Sequence, residues 1–188
     1  KEVVKTGRPI LFAGTTPASS TVTKEVAERL NQPFVAERWL GGTLTNFETI
    51  SKRLGYYMTL KADQAAGRLD KYTKKERTAM EKEITRLTRL FGGLERLSAL
   101  PAVVIVVGAD SHEIATREAN RMKIPVIAIT NTTANPDMIQ YVIPANDNSK
   151  SSIAYVLAKL EEAISQGVKE RAAATAATTA KPSLDIKK

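Results

Sequence analysis

Five short apolar runs punctuate the chain: Ile-Leu-Phe-Ala-Gly at 10–14, Pro-Phe-Val-Ala at 33–36, Val-Val-Ile-Val-Val-Gly at 103–108, Val-Ile-Ala-Ile at 126–129 and Tyr-Val-Ile at 141–143. They are rich in Val and Ile and continuous rather than alternating, as in parallel strands buried on both faces. Helical periodicity fills the spaces between most of them. Residues 18–30 form one such segment, entered through Thr15-Thr16-Pro17 with proline suited to a first helical turn. Residues 111–122 form another, with Asp110 or Ser111 as candidate N-cap. Residues 149–165 form a third. This alternation predicts an α/β domain with right-handed crossovers.

The middle of the chain breaks the rhythm. No strand pattern occurs between residue 45 and about residue 97. Phe47, Ile50, Leu54, Tyr57 and Met58 keep helical spacing. Gly67 and Asp70 then punctuate a turn. Met80, Ile84, Leu87, Phe91 and Leu94 follow at intervals of four and three. That seam lasts about two heptads, too short for a long coiled coil but enough for two antiparallel helices zipped into a hairpin. Thr73-Lys-Lys-Glu76 has the form of a capping box opening the second helix. The expected organisation is an α/β unit at 1–44 and 98–168, an inserted helical hairpin at 45–97, and a flexible basic tail at 169–188. The tail expectation rests on the Ala/Thr-rich run from Glu170 onward, which cannot bury a core of its own.

Composition narrows the function classes. The 188 residues suit one domain with an appendage, 43% hydrophobic and 26% charged. No run approaches the roughly 18 apolar residues of a membrane span. Cysteine is absent, so disulfides, thiolate metal sites and cysteine nucleophiles are excluded. A single histidine, His112, excludes a multi-histidine metal site within this sequence. The first residues, Lys1 onward, read as a helix end running into a strand without an initiating Met, which predicts a natural N-terminus further upstream.

The net charge is +8, and residues 51–100 hold most of it, with twelve basic and six acidic side chains. A solvated helical face with local pairs around Glu83, involving Lys82 and Arg86, is the plain reading of such a surface. A twofold cationic excess concentrated on a projecting element points instead to a polyanion. The predicted RNA-contacting residues are Arg38, Lys52, Arg53, Arg68, Lys71, Lys74, Lys75 and Arg77. Readout through shape and phosphates is expected, because aromatics make up only 5% of the chain.

Residues 37–50, Glu-Arg-Trp-Leu-Gly-Gly-Thr-Leu-Thr-Asn-Phe-Glu-Thr-Ile, carry the only tryptophan beside a Gly-Gly pair. A phosphate loop is the rival reading, since glycines before a helix N-terminus favour anions, but the lysine of a Walker motif and the spacing of a dinucleotide fingerprint are both missing. The stretch reads as a structural joint formed by Trp39, Leu40, Gly41, Gly42, Thr43 and Asn46. Trp39 and Leu40 bury at the root of the hairpin, and Thr43 or Thr45 caps its first helix.

The segment from Arg38 to Ile50 resembles a signature of the bacterial small-subunit ribosomal protein two family. Ile-Leu-Phe-Ala-Gly-Thr near the start, the return from Leu87 to Val107 with its Gly-Gly and Leu-Pro, and most of residues 118–153 extend the likeness. It covers roughly residues 8–160. The resemblance implies a flavodoxin-like sheet of five parallel strands in the order 2-1-3-4-5, with helices on both faces and an inserted antiparallel helical hairpin. It implies a structural, non-enzymatic constituent of the small ribosomal subunit in the cytoplasm. Its partners would be small-subunit rRNA and neighbouring proteins near the head–body junction, with no membrane and no stand-alone homo-oligomer. Thr16, the Ala36-Glu37 pair, Ala102 and Ala145 depart from the family pattern, and the family's N-terminal Phe-Gly-His section is absent.

Two other classes compete. In the implied order, the loops at 14–20 and 108–113 flank the switch point where α/β enzymes place ligands. They offer Asp110, His112 and Glu113, and later loops add Asp137 and Asp147. Asp110 and Ser111 read as caps and Asn135-Pro136-Asp137 as a turn, and no nucleophile–base pair has motif spacing. The expectation is therefore no catalytic residue, no metal centre and no cofactor, with Mg2+ bridging to RNA near Asp110 or Asp147 as the one ion that fits. The other alternative is a non-ribosomal scaffold or nucleotide-binding α/β protein using the hairpin as a docking arm.

Overall fold

The computed structural model describes residues 7–179, with side chains through residue 173. Five parallel strands form one sheet in the order β2-β1-β3-β4-β5: β1 Ile10–Ala13, β2 Phe34–Val35, β3 Val103–Val107, β4 Val126–Thr130 and β5 Tyr141–Pro144. The helices are α1 Ser20–Arg29, α2 Phe47–Ala65, α3 Lys74–Phe91, α4 Glu113–Arg121 and α5 Lys150–Thr179. This is the α/β architecture and strand order expected from the sequence. Register is set by the apolar runs: Phe12 lies beside Ile105, Ile105 beside Ile127, and Ile129 beside Ile143.

Alternate strand residues feed two cores. On one face Ile10, Phe12, Val103, Ile105 and Ile129 pack under Val22 and Val26 of α1 and Ile153 and Leu157 of α5. On the other, Leu11, Val104, Val106, Val126 and Ala128 pack under Ala115 and Ala119 of α4. This second core runs on without a break through Trp39 and Leu44 into the seam between α2 and α3. Of Ile10, Leu11, Phe12, Val104, Ile105, Val106, Ile127 and Ile129, which the apolar runs predict as buried, only Ile127 is not fully buried, because it sits beside the exposed edge strand β5.

The seam between α2 and α3 uses Ile50, Leu54, Tyr57 and Leu60 against Ile84, Leu87 and Phe91. Met80 is only partly buried. Met58 is exposed. Two helices crossing once bury a single stripe, and Tyr57 already fills it. Gly67, at φ +67°, turns the chain after α2, since the left-handed region is free for glycine. A short 3-10 turn, Arg68–Lys71, buries Leu69 and leads into α3. The capping box is present: the Thr73 hydroxyl accepts from the Glu76 amide at 3.4 Å, and the Glu76 carboxylate accepts from the Thr73 amide at 3.0 Å.

Three boundaries differ from the sequence reading. Helix α4 begins at Glu113 with His112 at its N-cap, so neither Asp110 nor Ser111 caps it. Helix α1 begins at Ser20, after a turn in which the Thr16 carbonyl accepts from the Ser19 and Ser20 amides. Helix α5 does not stop at 165 but continues to Thr179, into the segment expected to be a flexible tail. Alanine has the highest helix propensity, so an Ala-rich run extending a docked helix needs no core of its own. The expected basic end at 180–188 lies outside the described residues.

The return of the hairpin is tied to the sheet through Gly93. A Cβ there would sit 2.3 Å from the Phe34 carbonyl oxygen of β2, whereas one at Gly92 would meet only ordinary contacts. Gly93→Ala is therefore expected to cost about 1–3 kcal/mol by urea denaturation, with Gly92→Ala close to neutral.

Candidate nucleic-acid interface and its structural joint

The joint is organised around a residue that the sequence alone gave no reason to single out. Glu118 of α4 is 8% exposed. Its Oε1 accepts from the Trp39 indole Nε1 at 3.1 Å and the Gly42 amide at 2.8 Å. Its Oε2 accepts from the Leu44 amide at 2.9 Å, the Thr45 amide at 3.2 Å and the Thr45 hydroxyl at 3.3 Å. One carboxylate thus satisfies three backbone amides of a loop that has no regular partner strand.

Burial alone pushes the Glu118 carboxyl up. The Leu44 and Gly42 amides, the Trp39 indole and the Thr45 amide outweigh it, and the net displacement is below the usual carboxylate range. Gly42 adopts φ +90°, which allows its amide to turn toward Glu118. Thr43 and Thr45 do not cap α2. The Thr43 hydroxyl donates to the Leu40 carbonyl at 2.6 Å and closes the turn, and Asn46 occupies the N-cap position without a side-chain cap bond. Trp39 is 9% exposed, and Leu40 packs partly buried against the same core. Gly41 is exposed, and a Cβ there would meet open space.

The root of the hairpin has its own polar clasp. The Tyr57 hydroxyl and the Lys61 ammonium both donate to Glu95 Oε1, at 3.0 and 2.7 Å. Burial raises the Glu95 carboxyl, and those two donors more than reverse it. Arg89 on α3 reaches Glu37 beside the joint at 3.0 Å.

The predicted RNA-contacting residues divide into groups. Lys74 and Lys75 are exposed and line one shallow face of α3 with Thr78, Ala79 and Lys82. Arg53 is exposed on α2. Lys52, Arg68 and Arg77 are paired, with Glu48 at 2.7 Å, Asp63 at 2.9 Å and Asp70 at 2.9 Å. Lys71 sits over the Tyr72 ring. Arg38 lies apart from these, in a cavity of about 650 Å³ at the hairpin root, shared with Lys24, Lys61, Arg89 and Arg96. Sequence reasoning missed Lys24 and Arg96 because only the fold brings α1 and the residues after α3 together. The local pair anticipated near Glu83 is with Arg86, at 2.9 Å.

At the sheet's switch point His112 joins the two loops. His112 is 2% exposed. Its Nε2 accepts from the Thr15 amide at 3.0 Å, and its Nδ1 faces the Gly108 carbonyl at 2.7 Å. Burial lowers its basicity, against a smaller opposing pull from the Gly108 carbonyl. With Nε2 accepting, the proton lies on Nδ1, and a neutral imidazole clips the β1 and β3 loops together. Among the described residues, no group of three or more His, Asp or Glu side chains could hold a metal ion. No described helix is long and apolar enough to cross a membrane.

A buried carboxylate joint thus holds a cation-bearing helical hairpin on the parallel sheet of an α/β protein. The chain belongs to the ribosomal protein S2 family, whose model matches residues 1–167. It is 40% identical over 170 residues to the small ribosomal subunit protein uS2 of Roseiflexus castenholzii (strain DSM 13941 / HLO8), covering 90% of this chain and 65% of the relative. The uS2 protein of Rhodococcus erythropolis (strain PR4 / NBRC 100887) is 38% identical over 182 residues, covering 97% and 64%. That of Marinobacter nauticus (strain ATCC 700491 / DSM 11845 / VT8) is 43% identical over 144 residues, covering 77% and 58%. The chain thus spans between 58% and 65% of the length of these curated relatives.

Two measurements test the joint. Trp39→Ala should cost about 3–5 kcal/mol, as a buried indole would. A loss under about 1 kcal/mol would place Trp39 on the surface, available for stacking. Glu118 supplies the pH dependence. A folded-state pKa below the unfolded value, about 4.3, contributes stability that is present above pH 4.3 and lost as pH falls through the lowered folded value. Glu118→Gln should therefore be less stable than wild type by about 2–4 kcal/mol at pH 7, with the gap shrinking steadily below about pH 4. A gap of constant size from pH 7 to pH 3 would show that the carboxylate charge plays no part.

Proposed function

We propose that this protein is a structural constituent of the small ribosomal subunit, binding small-subunit rRNA and neighbouring ribosomal proteins in the cytoplasm near the head–body junction. The observation that carries this reading is the family membership, joined to a cationic helical arm held in fixed orientation by a buried joint. The chemistry is electrostatic rather than catalytic. RNA presents a dense line of phosphates, and each one neutralised by Lys or Arg releases counterions. Exposed cations on a projecting hairpin reach an A-form backbone without disturbing the sheet, and the deep, narrow major groove leaves shape and phosphate contacts as the main readout.

Within the arm, the structure favours Lys74 and Lys75, together with Lys82, as the phosphate-contacting face, because all three are exposed and line one surface of α3. Arg38, Lys52, Arg53, Arg68, Lys71 and Arg77 complete the proposed set. The three among them that are ion-paired must exchange a carboxylate for a phosphate, which exposed pairs of about 0–1 kcal/mol permit. Arg38 would act at the root, beside Arg96 and Lys24.

The test is assembly. Replacing Lys74, Lys75 and Lys82 together by Glu should reduce incorporation into small subunits and lower the salt slope of rRNA binding by about one for each phosphate left without its cation. The fold should persist, since these positions lie off the buried seam. Normal incorporation at moderate salt would move the RNA contact to the root. Arg38→Glu with Arg96→Glu then becomes the disruptive pair.

A further inference from the structure

We infer that the C-terminal ends of β3 and β4 form a divalent-cation site, built on Asp147 and Asp110 and suited to Mg2+. The inference starts from a buried carboxyl group with an unpartnered oxygen. Asp147 is 4% exposed. Its Oδ2 receives one long hydrogen bond, from the Asn131 amide at 3.3 Å, and its Oδ1 has no partner. The neighbouring Thr130, 3% exposed, also holds a hydroxyl oxygen without a partner. Neither Asp147 nor Asp110 forms an ion pair among the described residues. A carboxylate removed from water costs several kcal/mol unless a cation or several donors meet it. Glu118, with five donors, shows what satisfaction looks like in this same protein.

Asp110 supplies the second oxygen. Gly108, at φ +79°, ends β3 between the two acids. A Cβ built on Gly108 would lie 3.7 Å from Asp147 Oδ2 and 3.8 Å from Asp110 Oδ1, so the two carboxylates approach the same glycine. Asp110 is exposed and also borders a cavity of about 250 Å³ with Glu113, Thr133 and Asn135, which gives an ion a path from solvent. The donor set decides the ion. All the free groups are oxygens, there is no cysteine, and both nitrogens of His112 are already engaged. Two carboxylates with the remaining positions left to water suit Mg2+, which keeps much of its hydration, better than Ca2+, which needs six to eight protein and water oxygens, or Zn2+, which prefers nitrogen and sulfur.

The experiment uses the whole chain without RNA, so its outcome is independent of the ribosomal reading. MgCl2 should raise Tm by roughly 3–5 °C once it exceeds its Kd about tenfold, beyond the shift given by KCl at equal ionic strength. Mn2+ bound to the protein, counted by loss of the free-ion electron paramagnetic resonance signal, should approach one per chain. Asp147→Asn keeps an acceptor for the Asn131 amide but removes the charge. It should abolish the Mg2+ response, weaken Mn2+ at least about tenfold, and leave the Mg2+-free Tm equal to or above that of wild type. Asp110→Asn, at an exposed position, should weaken Mn2+ while retaining the fold. Overturning results are a Tm response matched by KCl, no Mn2+ bound by wild type, or an unchanged Mn2+ affinity in the Asp110 variant. A Mg2+-free Tm for Asp147→Asn well below wild type would also overturn the site, by showing that Asp147 is a structural acceptor.

Discussion

The first root of the helical hairpin hangs on the carboxylate of Glu118. Between β2 and α2 the chain crosses a stretch with no strand partner, and its amides must be satisfied somewhere. Glu118 accepts from the Gly42, Leu44 and Thr45 amides and from the Trp39 indole, while its own helix packs on the sheet through Ala115 and Ala119. The joint is thereby pinned to a rigid element. A neutral acceptor could meet two of these donors but not all of them with comparable strength, since hydrogen bonds to a charged partner are about twice as strong. The indole explains the single tryptophan: it offers a large apolar surface to the core and one N–H to the carboxylate.

The framework was legible because it is local in origin. Continuous Val- and Ile-rich runs specify buried parallel strands, the spacing of Ile84, Leu87 and Phe91 specifies the hairpin seam, and Thr73 with Glu76 specifies a helix start. Each is decided within a few residues of sequence. Glu118 was illegible for the opposite reason. It sits between Arg117 and Ala119 in a helix that looks charged and exposed, and its burial depends on residues more than seventy positions away. The caps show the same limit. Thr43, Thr45, Asp110 and Ser111 all have the chemistry of an N-cap, yet each stands a few residues ahead of the first helical turn, and tertiary contacts draw Thr43 and Thr45 elsewhere. The Ala/Thr run after Glu170 misled because low complexity argues against a core, whereas extending a docked helix requires only propensity.

The surface charges were legible as a total but not as a pattern. The excess between residues 51 and 100 is visible by counting, but pairing is not. Arg68 and Arg77 are held by Asp63 and Asp70, while Lys74, Lys75 and Lys82 share one open face. Arg38, adjacent in sequence to the joint, joins residues from α1 and from beyond α3 in the root cavity.

The continuity of the core explains why the arm is a lever rather than a tether. The apolar cluster that begins under α4 passes through Trp39 and Leu44 and ends at Leu60, Leu69 and Ile84. Close-packed interiors transmit strain instead of absorbing it. Gly93 lies against the Phe34 carbonyl where the hairpin returns to the sheet, and Glu95 gathers Tyr57 and Lys61 at the same level. The hairpin is thus fixed at both of its roots, one through a carboxylate on α4 and the other through the edge strand β2. A hairpin held at one root could swing about it. Held at two, it carries its lysine face at a set angle to the sheet, with the cost of ordering the arm already met by the fold.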